Sequence, residues 1–258
     1  MLNESVFEMR GCKLWLRRGG AGQPLLFLHG AHGLAGMQPA LDALARNFDV
    51  LAPDLPGFGR SDAPDWIDDV ADLAFFLLDL VKALDLKRLN LVGHSIGGWA
   101  ALEMAIRSTE RLKSLTLVDA AGIRLEGVPR ADMFMANQDE LLKLLFVGEG
   151  GAEWSAAMQA TAELQDIFDR NRFASAKLSW QPRLCNPKLT RWLHRIDRPT
   201  HILWGVEDKI IPPAYAEALK KQIAGASVSL VSRAGHMLPV ERPEIFAAEV
   251  ARFVGSVP

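Results

Sequence analysis

Leu89-Asn90-Leu91-Val92-Gly93-His94-Ser95-Ile96-Gly97-Gly98-Trp99-Ala100-Ala101-Leu102 is the stretch whose reading decides the fold. Its first four residues form a short apolar run bounded by glycine, the pattern of a buried strand. Residues 99–105 read as a helix. Between them lies Gly-x-Ser-x-Gly, the sequence of a nucleophile elbow. Such a turn is so tight that the residues flanking the serine need almost no side chain, which accounts for Gly93 and Gly97. It lifts the Ser95 hydroxyl above the sheet. It also leaves the Ile96 N–H at a helix N-terminus, where negative charge is favoured.

Outward from this turn, strand and helix signals alternate. Residues 13–17 read as a strand, paired in a hairpin with residues 5–9. Leu25-Leu26-Phe27-Leu28, between Pro24 and Gly30, has the continuous apolar character of a central parallel strand. Residues 48–52 form another. Residues 69–84 have helical periodicity, with Val70, Leu73, Phe76, Leu77, Leu80 and Leu84 on one face. Residues 114–118, 201–204 and 228–231 read as strands, residues 213–223 and 243–254 as helices. The alternation implies an α/β fold, a mostly parallel doubly wound sheet with helices on both faces. It stops between residues 123 and 195, where the chain reads as helices without strands. Asn137 opens a capping box with Glu140, residues 153–168 form a second helix, and Asn186-Pro187 starts a third that ends near His194. The expected organisation is therefore a core of residues 1–122 and 196–258 with a helical cap, residues 123–195, inserted in it.

Composition bounds the class. The chain has 258 residues, 49% of them hydrophobic and 23% charged, with a net charge of −2. That balance provides no basic surface for nucleic acid or for an anionic membrane. Cys12 and Cys185 are too far apart for a zinc motif and too few for a disulfide framework, and read as buried thiols. The N-terminus shows neither a basic n-region nor a long apolar stretch, so the expectation is a cytoplasmic protein acting on a small molecule. No metal or organic cofactor is implied, and the oligomeric state is not readable.

A serine nucleophile needs a base, and the base needs an acid to hold its tautomer. His236 follows the last strand, and catalytic groups gather at the carboxyl ends of parallel strands. Asp208 follows the strand at 201–204. Glu207 and Asp119 are rival acids, Asp119 also standing at a strand end. The chain order Ser95, Asp208, His236 is that of the α/β-hydrolase arrangement. A second oxyanion donor is expected from His29-Gly30-Ala31, so that the backbone N–H groups of Ala31 and Ile96 form the oxyanion hole. His29, His94, His194 and His201 read as structural or surface residues.

Five stretches together carry a resemblance that spans nearly the whole chain: Leu28-His29-Gly30; Asp54-Leu55-Pro56-Gly57-Phe58-Gly59-Arg60-Ser61-Asp62; Gly93-His94-Ser95-Ile96-Gly97-Gly98; Trp204-Gly205-Val206-Glu207-Asp208; and Gly235-His236-Met237-Leu238-Pro239-Val240-Glu241-Arg242-Pro243. On these motifs the chain resembles the α/β-hydrolase fold superfamily, in its serine-nucleophile branch with a helical cap. The resemblance implies that residues 123–195 are that cap and that residues 54–62 are architectural. A serine argues against the aspartate-based dehalogenases and epoxide hydrolases of the superfamily. What remains is hydrolysis of a small to medium, largely apolar carboxylic ester, lactone or thioester through an acyl-enzyme. The alternative is hydrolysis of carbon–carbon bonds in meta-cleavage products of aromatic degradation. His94 and Met237-Leu238-Pro239 stand where those C–C hydrolases often carry Asn and Trp. A third alternative is a small-molecule receptor that retains the triad. The apolar residues of 123–195 are the clue to substrate. His32, Phe134, Trp154, Trp180 and Met237 are the candidate substrate-binding residues, and Arg124 and Arg191 are considered for a substrate carboxylate.

Overall fold

The computed structural model describes residues 2–258. The chain opens with the hairpin β1 (Asn3–Met9) and β2 (Cys12–Gly19), antiparallel with Met9 opposite Cys12. Then follow β3 (Gln23–Leu28), α1 (Gln38–Leu44), β4 (Phe48–Pro53), α2 (Val70–Ala83), β5 (Leu89–His94), α3 (Ile96–Arg107) and β6 (Leu112–Val118). The sequence pattern misses α1, whose seven residues are too few to display a period. Its Ala40, Leu41, Ala43 and Leu44 are nevertheless buried. α2 begins as its periodicity predicts. The Asp69 carboxylate accepts from the Ala71 and Asp72 N–H groups, a side-chain N-cap.

After β6 the chain runs through α4 (Gln138–Leu145), α5 (Gly150–Met158), α6 (Ala162–Ser179) and two 3-10 turns, Leu189–Arg191 and Leu193–Arg195. The capping box forms as read, with Asn137 and Glu140 reciprocally bonded. The helix expected over residues 153–168 is instead two helices. The Thr161 hydroxyl caps Leu164 N–H and starts α6 anew, and α6 then runs to Ser179. The helix expected after Asn186-Pro187 is only the pair of 3-10 turns. Asn186 Oδ1 accepts from Lys188 N–H, while its amide is drawn to Glu103 of α3. The alternation resumes with β7 (Thr200–Gly205), α7 (Ala214–Gln222), β8 (Ser227–Val231), the short α8 (Leu238–Glu241) and α9 (Pro243–Ser256).

One eight-stranded sheet, in the order β1-β2-β4-β3-β5-β6-β7-β8, carries the fold. β2 runs antiparallel to both neighbours, and β4 to β8 with β3 form a parallel block. β5, β6 and β7 are buried along their whole length, as strands covered on both faces must be. α1 packs with α9 and α2 with α3. From β3 the chain moves outward to β4, then crosses back to place β5 on the other side of β3. The order therefore reverses between β3 and β5, and a crevice opens at the carboxyl ends of strands on either side of such a point. The loops after β3 and β5 are the 29–33 segment and the Ser95 turn. Among the described residues no helix is long and apolar enough to cross a membrane.

Candidate active site

Ser95 sits between β5 and α3 with φ 54° and ψ −116°, a backbone conformation that a non-glycine residue adopts at a cost. The structure shows what holds it there. Ser95 N–H donates to Val118 O at 2.9 Å, and Ser95 O accepts from Ala121 N–H at 3.0 Å. A Cβ on Gly93 would strike the Gly97 carbonyl, and one on Gly97 would strike the carbonyls of Leu28 and His29. Backbone cannot give way as a flexible side chain can, so both positions require glycine. Gly30 answers to the same crowding from the β3 side, since a Cβ there would lie 2.9 Å from Ser95 Cβ.

His236 and Asp208 come to Ser95 from the last two strands. His236 Nδ1 lies 2.8 Å from Asp208 Oδ2, and His236 Nε2 lies 2.9 Å from Ser95 Oγ. A carboxylate accepts only, so Nδ1 is the protonated nitrogen and Nε2 turns its lone pair to the Ser95 hydroxyl. All three residues are buried, with 3–4% exposure. The other oxygen of Asp208 accepts from the N–H groups of Ile210 and Ile211 at 2.8 and 2.9 Å, which fixes the carboxylate plane. Gly205 admits the turn that holds Asp208, because a Cβ there would meet the carbonyls of Ala234 and Gly235. Glu241 pins the other side of the His236 loop, accepting from Gly235 N–H and Val147 N–H at 2.7 Å each.

The rival acids have other partners. Glu207 accepts from Ala234 N–H at 3.2 Å. Asp119, fully buried at φ 45°, accepts from Gly205 N–H at 2.8 Å through Oδ1, while Oδ2 has no donor among the described residues. Burial first, and then the adjacent Asp208 carboxyl, raise Asp119 well above the usual carboxylate range; the Gly205 N–H works against them.

The 29–33 loop is held from two directions. His29 donates from Nδ1 to Gly30 O at 2.8 Å and accepts from Leu55 N–H at Nε2, at 2.9 Å. From α6, Asn171 donates to His32 O at 3.0 Å and Ser175 donates to Ala31 O at 2.9 Å. Asn171 also accepts from Gly59 N–H at 2.8 Å, so one buried amide joins α6 to the loops after β3 and β4. Ala31, its carbonyl thus held, follows Gly30, the residue packed against Ser95, and Ile96 N–H lies in the first turn of α3, where no intrahelical acceptor exists. His94 donates from Nε2 to His236 O at 2.7 Å, and burial followed by the neighbouring His236 lowers it to about 3. His201 is buried on Phe253 with Nδ1 at Ser227 Oγ, and His194 is exposed beside Trp192.

A cavity of about 370 Å³ reaches this loop, lined by Ala31, His32, Met133, Phe134, Leu141, Asp169, Arg172, Phe173, Ser175, Ala176 and Trp180. His32, Phe134 and Trp180 of the expected substrate-binding residues line it, and Trp154 and Met237 do not. Trp154 is buried among His32, Phe146 and Phe168, with its indole N–H donated to Ala35 O at 3.2 Å. Met237 is 1% exposed and hydrogen-bonds Leu145 O through its backbone. The arginine at this cavity is Arg172. Arg124 instead lines a separate groove of about 850 Å³, and Arg191 is exposed in a 3-10 turn. Sequence reasoning missed Asn171, Arg172 and Ser175. Their one trace is the i, i+3, i+4 spacing of Phe168, Asn171, Arg172 and Ser175 within a single helix.

A family model described as the alpha/beta hydrolase family matches residues 25–249. Among curated relatives, the 2-hydroxymuconate semialdehyde hydrolase of Pseudomonas sp. (strain CF600) is 29% identical over 266 residues, covering 95% of this chain and 91% of its own. Lipase 3 of Moraxella sp. (strain TA144) is 28% identical over 233 residues, 85% of this chain and 73% of its own. Among solved structures, a membrane phospholipase A described as a bacterial virulence factor superposes with a TM-score of 0.79 at 26% identity, over 98% of this chain and 86% of its own.

Proposed function

The chain belongs to the alpha/beta hydrolase family, and from that premise we propose that it is a serine hydrolase cleaving a small to medium, largely apolar carboxylic ester, or a lactone or thioester, through an acyl-enzyme on Ser95. The observation that carries the reading is the buried relay Ser95 Oγ, His236, Asp208 with links of 2.9 and 2.8 Å. As Ser95 Oγ bonds to the carbonyl carbon, its proton passes to His236 Nε2 and the carbonyl oxygen becomes an oxyanion. The Ala31 and Ile96 N–H groups receive that charge, and one such donor is worth about 3 kcal/mol of barrier. Asp208 holds the imidazolium through Nδ1. The carbon–oxygen bond to the alcohol then breaks, and His236 returns its proton to the departing oxygen. Water, losing a proton to the same Nε2, attacks the acyl-enzyme; His236 hands that proton to Ser95 as the acid leaves.

Residues 123–195 act in this reading as the cap that selects the acyl group. Met133, Phe134, Leu141, Phe173 and Trp180 supply an apolar lining, which suits an apolar substrate better than a charged one. The similarity to a semialdehyde hydrolase favours C–C hydrolysis as a second reading. His94 and Met237-Leu238-Pro239, in place of the Asn and Trp common in that group, weigh against it. The test is Ser95→Ala with a short-chain 4-nitrophenyl ester. Turnover should vanish while the melting temperature stays, and a mutant that still turns over refutes the acyl-enzyme. Faster consumption of a dienol-keto acid than of any ester would favour the second reading.

A further inference from the structure

Of the six histidines, five are exposed or have at least one ring nitrogen hydrogen-bonded, although His94 Nδ1 and His201 Nε2 are buried without a hydrogen-bond partner among the described residues. His32 is the exception. It is 5% exposed, yet neither Nδ1 nor Nε2 has a hydrogen-bond partner among the described residues. A buried imidazole with both nitrogens unspent is costly, and a functional site is where such a cost is retained.

Its setting fixes the ring and places the residue at a cavity wall. The ring stacks on Phe168 at 15° and meets Trp154 edge to face at 79°, so it is clamped rather than free to turn. The backbone of His32 is fixed by Asn171, and it directly follows Ala31, the expected oxyanion donor. The cavity beyond is walled mainly by apolar side chains. Of its polar members, Ser175 has spent its one O–H donor on Ala31 O, and Asp169 and Arg172 lie at the exposed edge. His32 is thus a cavity-lining residue, next in sequence to the expected oxyanion donor, whose ring has spent neither its donor nor its acceptor on the described residues; both nitrogens are themselves covered, so a ligand oxygen reaches them as the lining shifts. Burial, then His236 and Arg172, lower it to about 4, so above that pH the ring is neutral, with one donor and one acceptor. A neutral donor–acceptor suits a carbonyl, ether or hydroxyl oxygen.

We propose that His32 is a substrate-binding residue that hydrogen-bonds an oxygen carried by the acyl group, so that the preferred substrate is an ester of an oxygenated acid (hydroxy-, oxo- or alkoxy-acyl) rather than of a plain alkanoic acid. The proposal rests on the Ser95 acyl-enzyme reading.

The experiment measures kcat/KM for 4-nitrophenyl methoxyacetate and for 4-nitrophenyl butyrate, matched in chain length, in wild type, His32→Phe and His32→Gln. Taking the ratio between proteins cancels the intrinsic reactivity of each ester. His32→Phe keeps a ring between Phe168 and Trp154 but loses the polar atoms. It should lower the methoxyacetate value about tenfold, the worth of one substrate hydrogen bond, and the butyrate value less than threefold. His32→Gln, which restores a donor and an acceptor, should recover part of the selectivity, and serves if the Phe variant does not fold. Equal loss on both esters, or loss on neither, overturns the assignment to His32. Ser95-dependent turnover of butyrate by the wild type reports separately on the acyl-enzyme reading. It upholds that reading whatever His32 does, and its absence overturns both.

Discussion

Asp208→Asn replaces one oxygen by nitrogen and should nearly silence the enzyme. The reason lies in how the carboxylate is held. Oδ1 already receives two backbone N–H groups, from Ile210 and Ile211, and only an oxygen can accept them. The asparagine oxygen must take that side, which turns its NH2 toward His236 Nδ1. A donor facing Nδ1 requires a lone pair there, so the imidazole proton moves to Nε2. Nε2 then confronts Ser95 Oγ, 2.9 Å away, with a proton in place of the lone pair. The serine proton has nowhere to go, although every heavy atom keeps its place. A wrong-tautomer substitution of this kind costs about 10⁴-fold in kcat, or about 5 kcal/mol of barrier at 1.36 kcal/mol per tenfold. The assay is steady-state hydrolysis of 4-nitrophenyl butyrate with a thermal melt alongside. The expected result is the rate loss with KM and melting temperature close to wild type. A loss of less than tenfold would refute the reasoning and move the acid's role elsewhere, with Asp119 the first candidate.

Asp119 offers a test by stability instead. Its folded-state pKa is raised by burial and by Asp208, with Glu241 adding a smaller push and the Gly205 N–H opposing. A raised acid contributes stability that is fully present below its unfolded pKa, about 4, and is lost as pH rises toward the folded value. Asp119→Asn cannot ionise and escapes that loss. Its melting temperature relative to wild type should therefore climb between pH 5 and pH 9, and a difference that is flat or falls with pH would show an ionised Asp119. Asn171→Ala removes two buried hydrogen bonds and strands their partners at Gly59 and His32. It should cost about 2–3 kcal/mol, seen as a fall of roughly 5–10 °C in melting temperature; a shift under 2 °C would mean that α6 is held to the core by other contacts.

How far the fold could be read follows from where each signal resides. β3, β5, β6 and β7 announce themselves because a strand buried on both faces is a continuous apolar run. α2 does so through fourteen residues of periodic burial and an Asp cap. α1 and α8 are too short for a period, and the single helix read over residues 153–168 ignored what one Thr161 cap does. At the site, Ser95, Asp208 and His236 could be named because each follows a strand run at a sheet end. The sequence favoured Asp208 by position and chain order but left Glu207 and Asp119 as rivals, since all three stand at such ends. The separation lies in partners: Glu207 turns to Ala234, Asp119 to Gly205, and Asp208 to His236.

What the sequence determined by itself is local and topological. The steric demands of the Gly93–Gly97 turn and the strand–helix alternation reside in contiguous residues, and the order of Ser95, Asp208 and His236 along the chain is read directly from their positions. The tertiary structure decided what depends on residues far apart in the chain. It gave Trp154 to Ala35 and the aromatic cluster rather than to the cavity wall. It buried Met237, brought Arg172 rather than Arg124 to the cavity, and left the His32 ring nitrogens without a hydrogen-bond partner among the described residues. A side chain's neighbours across 100 residues of sequence are set by how α6 packs on the loops after β3 and β4. No local pattern encodes that packing, and in the proposed reading the same packing selects the acyl group.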